Sequence, residues 1–206
     1  MKLEGFIRKY YTNELIRGSI LFLAIGLMYF IGTLLVEYFL WLPSNGRTAL
    51  FWLFIGVEAF LLLRFILFPI FKLFKLQKGI GYAEASSIIG NHFAEISDKL
   101  TNFLQLSGQS QQSELLAASI EQKANTLQPI PFTNAVNFKK NMKYVPYAAV
   151  PLLLILFFLI SGNGSVISSS FTRVVNYEKH YAPPAPFEFV VMNNALIAQQ
   201  ETDFVL

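Results

Sequence analysis

The chain has 206 residues and no cysteine; 54% of it is hydrophobic, 14% is charged, and Phe occurs 21 times, whereas soluble domains average about 25% charged residues. This balance excludes a disordered chain, a nucleic-acid-binding arm, an ordinary soluble enzyme, and any disulfide, thiolate metal site or cysteine nucleophile. It fits a membrane protein with a modest portion outside the bilayer, and because the net charge is only +3, the position of the charges says more than their sum.

In chain order, Leu3, Phe6, Ile7 and Tyr10 have helical spacing with Arg8 and Lys9 alongside. This predicts a short lead helix lying flat at the membrane interface. Ser19 to Leu42 is the first long apolar run, interrupted only by Glu37 near its far end. As a helix it covers roughly 33–36 Å, enough to cross a hydrocarbon core of about 30 Å. It is longer than the apolar core of a signal peptide and no small-x-small cleavage site follows, so it reads as an uncleaved anchor. Pro43-Ser44-Asn45-Gly46-Arg47 predicts a polar turn. Ala49 to Phe71, with Glu58 and Arg64, is the second run. So short a turn between two spanning runs predicts an antiparallel transmembrane hairpin.

Gly79-Ile80-Gly81 predicts a break. From Tyr82 to Leu106 the pattern reads as one amphipathic helix, with Ile89, Phe93, Ile96, Leu100 and Phe103 forming an a/d-like packing stripe. Ser107 to Ser110 reads as a loop. A second helix over residues 113–127 follows, with Leu116 and Ile120 on its apolar face, Ser110 or Ser113 as cap, and Pro129 and Pro131 beyond its end. The pair forms a helical hairpin too small to fold confidently alone, for which packing within the chain is favoured over a dimer seam. Residues 131–142 return to the membrane. Val145 to Ile160 is the third span, short but extendable by Tyr144 and Ser161. The alternative is a buried helix of a soluble domain; the Leu and Phe density of residues 152–160 favours lipid. Residues 162–170 are rich in Gly and Ser and predict a flexible exit. Residues 181–186, with three prolines, predict a stiff spacer. The alternation of Phe187, Phe189 and Val191, then Asn193-Asn194, then Leu196-Ile197 predicts the first strands of a β domain. Two or three strands are not stable alone, which predicts a chain continuing past Leu206, or strands that add to a partner's sheet edge.

Twelve of the sixteen Lys and Arg residues precede the first span or lie between the second and third; only Arg47, Arg173 and Lys179 fall on the other side, and Arg64 sits within a span. The positive-inside rule then puts the N-terminus and the middle segment in the cytoplasm and the C-terminal part in the periplasm of a bacterial inner membrane. Ionisable groups inside spans are functional candidates by default. Glu37 is close enough to the outer end to read as an interfacial carboxylate near Trp41. Glu58 is near mid-membrane, where it faces another helix, pairs with a partner subunit or carries a proton. Arg64 can snorkel toward the inner headgroups. Lys72, Lys75 and Lys78, and likewise Lys139, Lys140 and Lys143, can contact lipid headgroups or be plain positive-inside flanks. No catalytic residue, cofactor or metal set is expected: His92 and His180 fall on opposite sides of the membrane, and no phosphate-binding loop occurs.

With Phe6-Ile-Arg-Lys-Tyr-Tyr11 leading into a membrane hairpin, Leu115-Leu-Ala-Ala-Ser-Ile-Glu-Gln-Lys123 in the middle helices, and a Pro-rich exit into Phe187-Glu-Phe-Val-Val, the chain resembles the N-terminal region of large uncharacterised inner-membrane proteins of Bacteroidetes, grouped as domain of unknown function forty-one seventy-five. The resemblance implies a long periplasmic part with Ig-like and coiled regions, and no defined functional residue.

The sequence thus predicts a mainly α membrane protein: a transmembrane hairpin, a cytoplasmic amphipathic helical hairpin, a third transmembrane helix and the start of a periplasmic, Ig-like β domain. The function expected is a non-enzymatic scaffold or adaptor of the cell envelope. Its partners are the lipid bilayer and proteins of an envelope complex or further copies of itself, with neither nucleic acid nor a small-molecule substrate. The alternative is a subunit of a transporter or proton-driven motor that uses Glu58. A transmembrane signalling protein is the weaker third, for want of a kinase or response domain.

Overall fold

The computed structural model describes residues 2–107 and 114–183. Within them the chain is helical, and no strand occurs among the described residues. The organising element is α1, Lys2–Leu40, a single helix of 39 residues. At 1.5 Å per residue it is about 58 Å long, roughly twice the thickness of a hydrocarbon core. The expected flat lead helix is therefore corrected. The helix runs through Thr12, Asn13 and Gly18 without a break, so Leu3–Tyr10 and the apolar run belong to one continuous helix.

Two other helical stretches are long and apolar enough to cross a membrane, residues Ser44–Leu73 and Phe132–Ile160. The first begins with α2, Ser44–Leu62, capped by Pro43 in extended conformation. The expected five-residue turn shrinks to Trp41–Pro43, and Ser44 to Arg47 form the first helical turn. Trp41 makes the reversal with φ +44°, a left-handed conformation rare outside Gly, Asn and Asp. A widened π-turn, Leu63–Leu67, joins α2 to α3, Phe68–Leu73. Pro69 explains it. Proline has no N–H to give to the carbonyl four residues back, and its ring crowds that carbonyl, here that of Phe65. The freed Phe65 oxygen turns onto α1 at Gly18, where a Cβ would collide with it. Gly18 therefore allows the two backbones to touch.

Beyond the spans, on the side rich in Lys and Arg, a small helical bundle builds on the first turns of α1. Its members are α4, Tyr82–His92; α5, Ser97–Ser107; and α6, Glu114–Leu127. The single helix expected over residues 82–106 is in fact two. The chain leaves the helix at Phe93 (φ −119°, ψ 77°), makes a 3-10 turn over Ala94–Ile96 and folds back. Gly90-Asn91-His92 are weak helix formers, and Gly90 lets Ser97 approach so closely that a Cβ there would sit 2.5 Å from the Ser97 hydroxyl. The bundle core consists of Phe6 from α1, Ala85 and Ile89 from α4, Ile96, Leu100 from α5, Leu127 from α6, and Phe132 and Val136 of the return segment. Phe93 and Phe103 pack against it half-buried. Ile120 is half-buried, and Leu116 lies outside the described side chains.

The return segment makes two 3-10 turns, Phe132–Ala135 and Phe138–Tyr144, and enters α7, Val145–Ile160. The stretch read as a flexible exit is instead α8, Gly164–Val175, an amphipathic helix whose buried residues are Val166, Ser170, Arg173 and Val174. Its spacing of four, three and one places those side chains on one helical stripe, and it packs on α1, α2 and α7. The residues expected to start a β domain, Phe187 to Leu206, and the caps Ser110 and Ser113 lie outside the described residues.

Candidate functional site

Three clusters of ionisable groups stand out along the molecule, one at each end of the spans and one between.

At the far end, one helical turn before α1 stops, Glu37 is fully buried. It is not the interfacial carboxylate expected from its position. Its Oε1 accepts a hydrogen bond of 3.0 Å from Arg173 Nε on α8, and Arg47 Nε of α2 lies 3.9 Å from the same oxygen. Arg47 is fully buried and Arg173 nearly so. A buried ion is costly unless its donors and acceptors are met, and here they are met in part: Glu37 Oε2 and both Arg47 Nη atoms are buried without a hydrogen-bond partner among the described residues. Arg47 Nε donates to the Leu42 carbonyl at 2.9 Å, and Arg173 Nη2 to the Ser170 hydroxyl at 3.3 Å. Trp41 covers the Arg173 guanidinium at 4.1 Å, and Tyr181 covers that of Arg47 at 4.9 Å, both within cation–π range. The left-handed Trp41 is what aims its ring back at α8. Phe30 against Phe171 holds α8 to the spans, and Phe51 against Tyr177 does the same for the turn that follows it. The cluster ties together α1, α2 and α8. It also accounts for two of the three basic residues on this side: Arg47 and Arg173 are engaged by Glu37.

Midway, Glu58 of α2 faces α1 at Gly26. A Cβ on Gly26 would lie 2.9 Å from Glu58 Oε2, so the glycine forms a notch for the carboxyl. An apolar recess of about 320 Å³ adjoins it, lined by Phe22, Leu23, Leu27, Phe30 and Phe54. Glu58 Oε1 is buried without a hydrogen-bond partner among the described residues. Arg64 lies in the π-turn, exposed on the outer face and 6.0 Å from the Phe65 ring. Glu58 and Arg64 are not brought together.

At the basic end, the stretch that leaves α3 folds back against the first turns of α1. Tyr11 is buried there, and its hydroxyl accepts the Ile80 amide at 2.6 Å. Gly79 must be glycine, because a Cβ would sit 2.7 Å from that hydroxyl. Lys75 donates to Glu4 at 3.1 Å. The Lys75 ammonium, by this hydrogen bond first and its charge second, holds the Glu4 carboxyl below its ordinary value of 4.5. On the other side of α1, Asn141 donates to the Asn13 side chain at 2.8 Å. Between α1 and the segment after α3 opens a groove of about 990 Å³, lined by Arg8, Lys72, Lys75 and Lys78 together with Glu4 and both tyrosines, Tyr11 and Tyr82. Lys139, Lys140 and Lys143 stand apart from it, exposed at the foot of α7.

The sequence marks Glu37 but not its partners, since Arg173 is 136 residues away and lies between the stretches 162–170 and 181–186 read as flexible exit and spacer. Nothing local marked Arg47, which reads as a turn residue. No protein-family model, no characterised protein and no solved structure matches this chain significantly.

Proposed function

We propose that the protein is a scaffold of the cell envelope, an inner-membrane adaptor that couples a helical bundle in the cytoplasm to structures on the periplasmic side. The observation that carries this reading is the continuity of α1. The same unbroken helix has Phe6 fully buried in the bundle core and Glu37 fully buried in the ion cluster at the other end. A displacement of the bundle is thereby transmitted along a stiff post instead of being absorbed in a hinge. The resemblance to the inner-membrane family with a long periplasmic part, and the positive-inside distribution, support the same assignment of sides. The wide apolar faces of α2 and α7, including Trp52, Phe60, Leu153 and Phe157, serve the bilayer or further subunits of an envelope complex.

The second reading, a subunit of a transporter or proton-driven motor, rests on Glu58 in its glycine notch. Glu58→Gln separates the two, because it keeps the shape of the side chain and removes its charge. The scaffold predicts unchanged growth and unchanged recovery of stoichiometric companions when the protein is purified in mild detergent from its own membranes. A motor predicts lost activity with assembly intact. Recovery of the wild-type protein alone would sink the scaffold reading.

A further inference from the structure

The groove at the basic end combines two kinds of lining that rarely meet by chance. The lining carries four cations, Arg8 from α1, Lys72 from the last turn of α3, and Lys75 and Lys78 from the chain leaving it. Glu4 engages only Lys75, so three positive charges in the groove are left without an acid opposite them among its lining residues. The same lining is apolar at Ile7, Leu73, Phe74 and Leu76; Phe74 and Leu76 are 68% and 75% exposed, more than an apolar side chain meant for water would be. The groove lies just where the spanning stretch Ser44–Leu73 ends, at headgroup depth for a helix that begins at the opposite interface. Its shape is fixed rather than incidental, because the Tyr11 hydroxyl and Gly79 clamp the far lip.

We propose that this groove binds one anionic phospholipid, with the phosphodiester held by Arg8, Lys72 and Lys78 and the upper acyl chain laid on Phe74 and Leu76. Arginine can grip two phosphate oxygens at once while lysines act as point charges, and a cationic cluster at the end of a span favours anionic headgroups. An inorganic phosphate would satisfy the cations but leave the apolar side chains Phe74 and Leu76 uncovered. A lipid meets both. The inference is independent of the scaffold reading and survives its failure.

The test is native mass spectrometry of the purified full chain in detergent, titrated with phosphatidylglycerol, phosphatidylcholine or inorganic phosphate. The expected result is one saturable phosphatidylglycerol, retained at least tenfold more tightly than phosphatidylcholine and not displaced by equimolar phosphate. In R8Q/K72Q/K78Q the preference falls at least tenfold; in K139Q/K140Q/K143Q, the same charge change at the foot of α7, it is unchanged. Circular dichroism checks that both variants keep their helices, and the single variant R8Q, expected to lose several-fold, replaces the triple should that one misfold. Equal binding of the two lipids, equal losses in the two triple variants, or displacement by phosphate would overturn the proposal, the last by showing a free-phosphate site.

Discussion

The ion cluster at Glu37 is the clearest case of one residue organising its neighbours. Two guanidinium groups and one carboxylate are removed from water together, and breaking such a set leaves an uncompensated buried charge, which costs about 3–5 kcal/mol. Glu37→Gln is therefore expected to lower stability by about that amount, read as a drop in the thermal unfolding midpoint in detergent. Adding Arg173→Gln to it should recover part of the loss, because one of the orphaned charges is then gone. Additive losses would show that the three residues do not act as a unit. Gly18 gives a second test of the same kind. Gly18→Val drives a branched side chain into the Phe65 carbonyl, and overpacking of this sort costs about 1–3 kcal/mol or more; unchanged stability would mean that α1 and the π-turn are not in backbone contact. At Glu4 the effect is one of pH. Its carboxyl is held below 4.5 by Lys75, so the pairing is fully present above that pH and is lost as pH falls through the lowered value. In Lys75→Gln the carboxyl should titrate nearer 4.5, measured by NMR of its side-chain carbon; an unmoved midpoint would contradict the contact. Residue identity made Glu37 and Glu58 legible as costly groups in an apolar run. Their partners were not legible, because partner choice is set by helix packing across the whole chain length.

At the scale of elements, apolar run length located all three spans, because the physics is that of a single long window. Boundaries and breaks were less legible. The stripe Ile89, Phe93, Ile96, Leu100 and Phe103 is continuous in spacing, and all five residues do line or adjoin one core, yet two helices share it around a tight turn. The weak helix formers Gly90 to His92 were the available signal for the break. In α8 the competing signals ran the other way. Glycine and serine argued for a linker, while Val166, Ser170, Arg173 and Val174 kept a helical stripe; a helix packed on three others needs little intrinsic propensity, since burial of one face supplies the stability. The bundle predicts its own test. Phe6→Ala removes a fully buried ring at an expected cost of about 3–5 kcal/mol, which should raise hydrogen exchange in α4 and α5 while leaving α7 and α8 unchanged. Uniform protection loss would contradict a separate bundle core.

For the whole molecule, α1 is the one helix that joins the bundle to the far-end ion cluster. The lead segment read from the sequence as an interfacial helix is the point of difference, since amphipathic spacing cannot say whether a helix bends as it enters a membrane. The most direct measurement is the distance between spin labels on G5C and F39C, by double electron–electron resonance in lipid nanodiscs. The chain has no native cysteine, Gly5 has open space around it, and Phe39 is 74% exposed. A continuous helix predicts a single narrow distribution near about 51 Å, from 34 steps of 1.5 Å. A broad distribution, or one centred near about 36 Å as for a lead helix folded at a right angle to the span, would contradict the rigid post and with it the coupling on which the proposed function rests.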